Sequence, residues 1–177
     1  MADLFSLPMI LFYAILYGIT MKSADLLDEH GYKWFRGSAI LFGVLWGIFG
    51  SLLIVSDIHV GNVVLAQVLA LIIRMRIDYR NHAIAAVIII ISFLLVGNLE
   101  QPTFFAFFLT FLAFGSVKDY FGDKVKRKDL VGKIFEFMWY YPLSGLVYGI
   151  YTNQWLVFYV FALYTVSYGA IKYWKEK

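Results

Sequence analysis

Seven apolar segments, separated by short polar breaks, limit what this chain can fold into. Their approximate bounds are 5–21, 38–56, 60–75, 83–97, 103–117, 132–151 and 155–173. A helix needs about 20 predominantly apolar residues to cross the hydrocarbon core of a bilayer. The shorter segments reach that length if flanking charged side chains extend to the interface. The sequence therefore predicts an all-α, polytopic membrane protein, with residues 1–177 forming one transmembrane domain of seven helices.

Composition favours the same class of fold. Hydrophobic residues make up 62% of the chain and charged residues only 15%, whereas typical soluble domains are about a quarter charged. The chain has no cysteine, which excludes disulfides, thiolate catalysis and cysteine-ligated zinc. The first positive charge, Lys22, comes after the first apolar segment, and no small-residue cleavage site follows it. We therefore expect a retained first span rather than a cleaved signal peptide.

The distribution of positive charge predicts the topology. All 15 lysines and arginines fall in the loops after the first, third and fifth segments or in the C-terminal tail. Cytoplasmic loops of membrane proteins carry an excess of lysine and arginine. The N-terminus is therefore expected outside the cell membrane and the C-terminus in the cytoplasm. Because topology explains the basic residues, a nucleic-acid partner is not expected.

Two features of the pattern leave alternatives open. Segments two and three could form one broken unit at 56–59, but Asp57 and His59 would then lie near mid-bilayer, where polar groups are costly. Two separate spans are therefore favoured. Segments one to three and segments five to seven share one order: a span, a charged inner loop, a second span, a short outer turn and a third span. With segment four between them, this order suggests a 3+1+3 pseudo-repeat. Any seven-span protein with long, charged inner loops would share this plan.

Small and helix-breaking residues predict local packing. Gly43 and Gly47 are spaced i, i+4 in the second segment, and such a pair lets another helix approach closely. Pro142 removes a backbone donor and predicts a kink in the sixth segment. Together with Gly145, the kink could also expose backbone to a transported solute.

Three inner loops each carry acidic side chains at helical spacing. Asp25 and Asp28 are spaced i, i+3 after the first segment, and Asp119 and Asp123 are spaced i, i+4 after the fifth. Each pair would lie on one helix face. Carboxylates at a membrane surface suit Mg²⁺, which shares its remaining ligand positions with substrate phosphates. The predicted magnesium ligands are Asp25, Asp28, Asp78, Asp119 and Asp123.

Basic and polar residues beside these acids predict a substrate site. Arg76, Lys118 and Arg127 can hold phosphate oxygens through charge-assisted hydrogen bonds. Asn81 borders the fourth apolar segment, where a polar side chain needs a partner, and it is a further candidate for substrate binding. His82 can titrate near neutral pH. With Asp78, it is the candidate catalytic acid–base group. The competing interpretation is that all these charges only pair with one another, face solvent and fix the topology.

The segment VKDYFGDKVKRKDLVG, residues 117–132, resembles the second aspartate motif of the UbiA family of intramembrane prenyltransferases. The resemblance implies that its aspartates bind a magnesium diphosphate. The first aspartate motif of that family is absent, and the chain is too short for the family's number of spans. The 3+1+3 plan is similar to that of SWEET-type sugar transporters, whose sequence motifs the chain lacks.

Three functions are compatible with the sequence. The first is a magnesium-dependent enzyme that transfers a prenyl or phosphoryl group on a phosphorylated or diphosphate lipid at the cytoplasmic leaflet. The second is a small-solute transporter or channel built on the 3+1+3 plan. The third is a structural subunit of a membrane complex. The expected partners are membrane lipid and, in a homo-oligomer, further copies of the chain.

Overall fold

A computed structural model of the protein describes residues 4–28, 32, 34–125 and 129–176, without the side chains of residues 123, 134, 136 and 174–176. Regular structure is helical throughout the described residues, so the prediction of an all-α chain is confirmed. The helices are α1 Leu7–Asp28, α2 Ser38–Ser56, α3 Ile58–Ile73, α4 Arg80–Val96, α5 Gln101–Asp119, α6 Leu130–Glu136, α7 Tyr140–Thr152 and α8 Trp155–Glu176. A π-helical segment, Tyr120–Val125, extends α5.

Four helices are long and apolar enough to cross a membrane. They are Leu7–Asp28, Ser38–Ser56, Gln101–Gly122, which includes the start of the π-helical segment, and Trp155–Tyr173. Helices α3 and α4 are also apolar but shorter. These lengths and compositions are compatible with an integral membrane protein. The count of seven spans, their orientation and the pseudo-repeat stay predictions.

Helix α3 lies at the centre of the bundle and contacts α2, α4, α5 and α8. Its buried residues are spread over most of its surface, as expected for a helix that is apolar all round. Two amides interrupt this surface and make polar contacts. Asn62 donates a 2.8 Å hydrogen bond to the carbonyl of Asn98, and Gln67 accepts a 3.0 Å hydrogen bond from Tyr17 on α1. These contacts tie the central helix to its neighbours.

Helices α2 and α4 approach closely at glycines, as predicted for Gly43 and Gly47. A β-carbon at Gly43 would lie 2.5 Å from the carbonyl oxygen of Asn81, and one at Gly47 would lie 2.9 Å from the side chain of Ile88. Both distances are shorter than van der Waals contact, so the packing depends on the missing β-carbons. The contact at Gly43 fixes the first turn of α4, and with it His82, against α2.

Segments two and three are separate helices, as the sequence favoured. Asp57 lies between them with an extended backbone, and its carboxylate accepts a 2.9 Å hydrogen bond from the backbone nitrogen of Val60. This bond satisfies one of the four free donors at the start of α3.

The sixth predicted span, 132–151, is broken into two helices. The break lies at 137–139, where Met138 adopts a left-handed backbone conformation with a φ of 56°. Pro142 lies in the first turn of α7, where backbone N–H groups have no intrahelical partner and the missing donor costs little. The prediction that Pro142 disrupts this span agrees with the break, because a proline clashes with the carbonyl four residues earlier and gives it no donor, and that residue is Met138.

Candidate functional site

A buried carboxylate–histidine pair joins α1 to α4. Nε2 of His82 lies 2.9 Å from Oδ1 of Asp25, and less than a tenth of each side chain is exposed. The other oxygen of Asp25 accepts a 2.8 Å hydrogen bond from the hydroxyl of Tyr168 on α8. It also lies 3.7 Å from Nζ of Lys22. A histidine oriented by a buried carboxylate has the arrangement of a general acid–base group.

The His82 ring is held from several sides. Its Nδ1 lies 3.5 Å from a carboxylate oxygen of Asp78, whose side chain is 53% exposed. Trp46 packs edge-on against the ring, with the two ring centroids 5.7 Å apart. Asn81 accepts a 2.8 Å hydrogen bond from the backbone nitrogen of His82 and donates one of 2.9 Å to the carbonyl of Ala24. Asn81 therefore positions His82, and its predicted role in substrate binding stays a prediction.

A second charged cluster joins the end of α3 to the end of α5. Nε and Nη2 of Arg74 donate hydrogen bonds of 2.9 and 2.7 Å to the same oxygen of Asp119. Nη2 of Arg76 lies 3.0 Å from the other oxygen. The Arg74 side chain is only 5% exposed. Its Nη1 group is also buried, and no residue in the described part of the chain accepts a hydrogen bond from it.

Gly115 makes room for the Arg74 guanidinium. A β-carbon at this position would overlap Nη1 and Cζ of Arg74. The glycine thus lets the planar cation lie directly on the backbone of α5. This contact explains how a large charged side chain is accommodated between two helices near the end of the bundle.

A cavity of about 210 Å³ lies between the two clusters. Residues from the ends of α1, α3, α5 and α8 and from the start of α4 line it, together with aromatic rings of α2, α7 and α8. Asp25 and His82 face this cavity. The cations that line it are Lys22, Arg74, Arg76, Lys118 and Lys172.

The described residues that line the cavity carry more positive than negative charge. They include five cations and the carboxylate of Asp25, and the carboxylate of Asp119, beside the cavity, pairs with the two arginines. Among the described residues, no carboxylate lies within 4.0 Å of the Lys118 ammonium, whose side chain is half-buried. Uncompensated charge away from bulk water is costly, so the arrangement suits an anionic ligand. Arginine and lysine together match the several oxygens of a phosphate group.

The predicted magnesium ligands fall in two places. Asp25 lines the cavity and Asp119 lies beside it, each already paired with cations. Asp28 and Asp78 line a separate depression on the surface. In the described ranges, no group of three histidine, aspartate or glutamate side chains is arranged to hold a metal ion. Magnesium binding stays a prediction.

The predicted acidic face of the fifth helix is altered by the backbone. The chain after Asp119 is π-helical over Tyr120–Val125, so the α-helical i, i+4 register does not continue to Asp123. The side chain of Asp123 and all of Arg127 lie outside the described residues. Of the other predicted site residues, Arg76, Lys118 and His82 line the cavity.

Sequence reasoning missed part of the cavity lining. The predicted site residues do not include Lys22, Arg74, Lys172 or Tyr168, all of which line the cavity. The i, i+3 spacing of Lys22 and Asp25 was an available signal, because such pairs meet on one helix face. No local pattern marks Tyr168, which reaches Asp25 across 143 residues of sequence.

The fold and the site define an all-α chain, with helices suited to a membrane and a cationic cavity at one end of the bundle. Comparisons with protein-family models, curated proteins and solved structures found no match.

Proposed function

We propose that the protein is an integral membrane enzyme that binds the phosphorylated headgroup of a lipid in the cationic cavity. The observation that best supports this proposal is the Arg74 guanidinium. It is buried and anchored by Asp119, it lines a cavity with four other cations, and its Nη1 group has no hydrogen-bond partner among the described residues. A phosphate group bound in the cavity supplies negative charge to these cations. The apolar helices around the cavity favour a lipid as the carrier of that phosphate.

The residues of the cavity then have separate roles. Arg74, Arg76 and Lys118 neutralise the phosphate oxygens, which is the main contribution a protein makes to phosphoryl or prenyl transfer. His82, oriented by Asp25, accepts or donates the proton of the reacting group. Its contact with Asp78 is the longer one and lies at the exposed side, so this contact opens more readily when His82 exchanges a proton. A magnesium ion carried in with a diphosphate is part of the same hypothesis.

Thermal unfolding of the purified protein in phosphatidylcholine nanodiscs tests the binding step. Inorganic pyrophosphate, with and without Mg²⁺, should raise the midpoint of unfolding, because a ligand that binds only the folded state stabilises it. Lys118→Gln, which removes a cation without breaking an ion pair of the described residues, should reduce the shift. Arg74→Gln should abolish it.

Arg80→Gln is the matched control, because Arg80 is an exposed arginine of the same inner loop region that is not part of the cavity lining. Its shift should equal that of the wild type. No shift in the wild type at millimolar pyrophosphate, in either metal condition, would overturn the proposal. An equal shift in all four proteins would do the same.

We further propose that seven helical units cross the membrane, with α6 and α7 together forming the sixth and the charged loops in the cytoplasm. The alternation of positive charge supports this topology, as does the coincidence of each predicted segment with helix. Because the chain has no cysteine, single cysteines report location cleanly. In intact cells, an impermeant maleimide should label Asn153→Cys and should label Lys124→Cys only after lysis. The reverse pattern would refute the orientation, and equal labelling of both would refute the span count.

A further inference from the structure

An apolar groove runs along the surface of the bundle between α5 and α7. Its volume is about 450 Å³, and its lining includes Ala106, Phe107, Leu143 and Val147. Leu143 and Val147 are each 53% exposed, so the groove is open to whatever surrounds the bundle. In a membrane, its mouth would face lipid chains.

Three of the hydroxyl groups that line the groove already have partners within the bundle. The hydroxyl of Thr110 donates a 2.7 Å hydrogen bond to the carbonyl of Ala106, and that of Ser144 donates one of 2.8 Å to the carbonyl of Tyr141. The hydroxyl of Tyr148 lies 2.9 Å from Nδ1 of His59. These groups therefore offer little to a polar solute or peptide, and the groove suits hydrocarbon.

The groove adjoins the cationic cavity at Tyr140, which lines both. The ring is only 7% exposed and is held between Phe114 and Tyr141, with ring centroids 6.2 and 4.5 Å away. From Tyr140 to Tyr151, which also lines the groove, the rise along α7 is about 16 Å. That is about half of the hydrocarbon thickness of a bilayer, which is about 30 Å.

We infer that the groove between α5 and α7 holds the hydrocarbon chain of the same lipid whose phosphorylated headgroup occupies the cationic cavity. This inference rests on the proposed function. Charge complementarity places the anionic headgroup beside Arg74 and Lys118, and the groove adjoins that position at Tyr140, so the chain of the same lipid lies along the groove. One lipid thereby occupies both the cationic cavity, with its headgroup, and the apolar groove, with its chain.

A photoreactive probe tests the inference directly. The probe is an n-alkyl phosphate with a diazirine at the chain end, added to the protein in phosphatidylcholine nanodiscs, and the adducts are mapped by peptide mass spectrometry. Adducts should concentrate on residues 106–110 and 143–147. Excess inorganic pyrophosphate should reduce this labelling at least fivefold, and so should the headgroup variant Lys118→Gln.

A matched pair of variants separates the groove from the lipid-exposed surface in general. Val147→Trp fills the groove, whereas Val87→Trp adds the same bulk at a position on α4 that is 54% exposed and is not part of the groove lining. Groove labelling should fall at least fivefold in Val147→Trp and stay at the wild-type level in Val87→Trp. Both variants should keep the unfolding shift with pyrophosphate.

The outcomes separate the two proposals. If the wild type shows no shift with pyrophosphate, the proposed function fails. If it shows the shift but the adducts are spread over the lipid-exposed faces, or a second copy of the chain covers the groove and excludes the probe, only the chain site is refuted. Groove labelling that persists in excess pyrophosphate or in Lys118→Gln refutes the link between groove and cavity.

Discussion

Arg74 and Asp119 are joined by two hydrogen bonds to one carboxylate oxygen, across 45 residues of sequence. With Arg76 on the other oxygen, the carboxylate of Asp119 is committed to two cations. Asp119 therefore acts in this structure as an anchor for the two arginines. The anchored guanidinium of Arg74 is in turn the best-defined group of the cationic cavity.

Breaking this pair should strongly destabilise the protein. Asp119→Asn keeps the shape of the side chain but leaves a buried arginine without its counter-charge, and such a loss costs about 3 kcal/mol. The free energy of unfolding, measured in mixed micelles with increasing denaturing detergent, should fall accordingly. Asp28→Asn is the control, because Asp28 forms no ion pair within the described ranges. Equal stability of the two variants would contradict the assigned role of Asp119.

Gly115→Ala should weaken pyrophosphate binding in the cavity without removing a charge. The added methyl group overlaps the Arg74 guanidinium, so the guanidinium must move. The rise in the midpoint of thermal unfolding that pyrophosphate causes should fall by at least half. Gly122→Ala adds the same methyl group where, beyond the adjacent helix backbone, no atom of the described residues lies within 4 Å, and its shift should match that of the wild type. A normal shift in Gly115→Ala would mean that the position of Arg74 does not control binding.

Gly43→Ala should destabilise the contact between α2 and α4. The new β-carbon meets the backbone of Asn81, which cannot rotate away as a side chain can, and overpacking of this kind costs about 1–3 kcal/mol. Gly169→Ala on α8 is the control. Its β-carbon would meet only the Phe137 side chain, at 3.8 Å, and alanine also favours helix. Unfolding measurements should therefore rank Gly169→Ala at or above the wild type and Gly43→Ala well below it.

Glu100 should make the stability of the protein sensitive to acid. Hydrogen bonds from Thr103, first from its side chain and then from its backbone, lower the pKa of the Glu100 carboxyl below its ordinary value of 4.5. The ionised group also caps α5, accepting a 2.8 Å hydrogen bond from the backbone nitrogen of Thr103. Because the pKa is lowered on folding, this stabilisation is complete above pH 4.5 and is lost as the pH falls through the folded-state pKa.

Glu100→Gln isolates that contribution. At pH 7 the variant should be less stable by about 1 kcal/mol, the usual worth of a helix cap. The difference from the wild type should shrink as the pH is lowered past 4.5, because the wild-type carboxyl then loses its charge. Thermal unfolding of both proteins between pH 3 and 7 makes the comparison. A difference that stays constant over this range would show that the charge of Glu100 is irrelevant to the cap.

Helix positions could be predicted because the signals for them are local. The predicted segment 38–56 coincides with α2, since Gly37 with its positive φ of 91° and the capping residue Asp57 bound the apolar run. The break in the sixth segment could not be predicted in the same way. Phe137, Met138 and Trp139 are apolar, so hydropathy continues unchanged through the turn. Pro142 indicates a disruption of this span, but it does not indicate that the span becomes two separate helices.

The all-α class, the apolar helices and the charged side chains in alternate loops follow from the sequence alone. Which of these charges meet depends on how the helices pack. Asp25 reaches His82 and Tyr168 because α1 packs against α4 and α8, and Asp119 meets Arg74 because α5 packs against α3. A helix forms from contacts within a few residues, whereas the partner of a side chain depends on how whole helices rotate and pack. Contacts between distant residues set that packing and leave no local mark in the sequence.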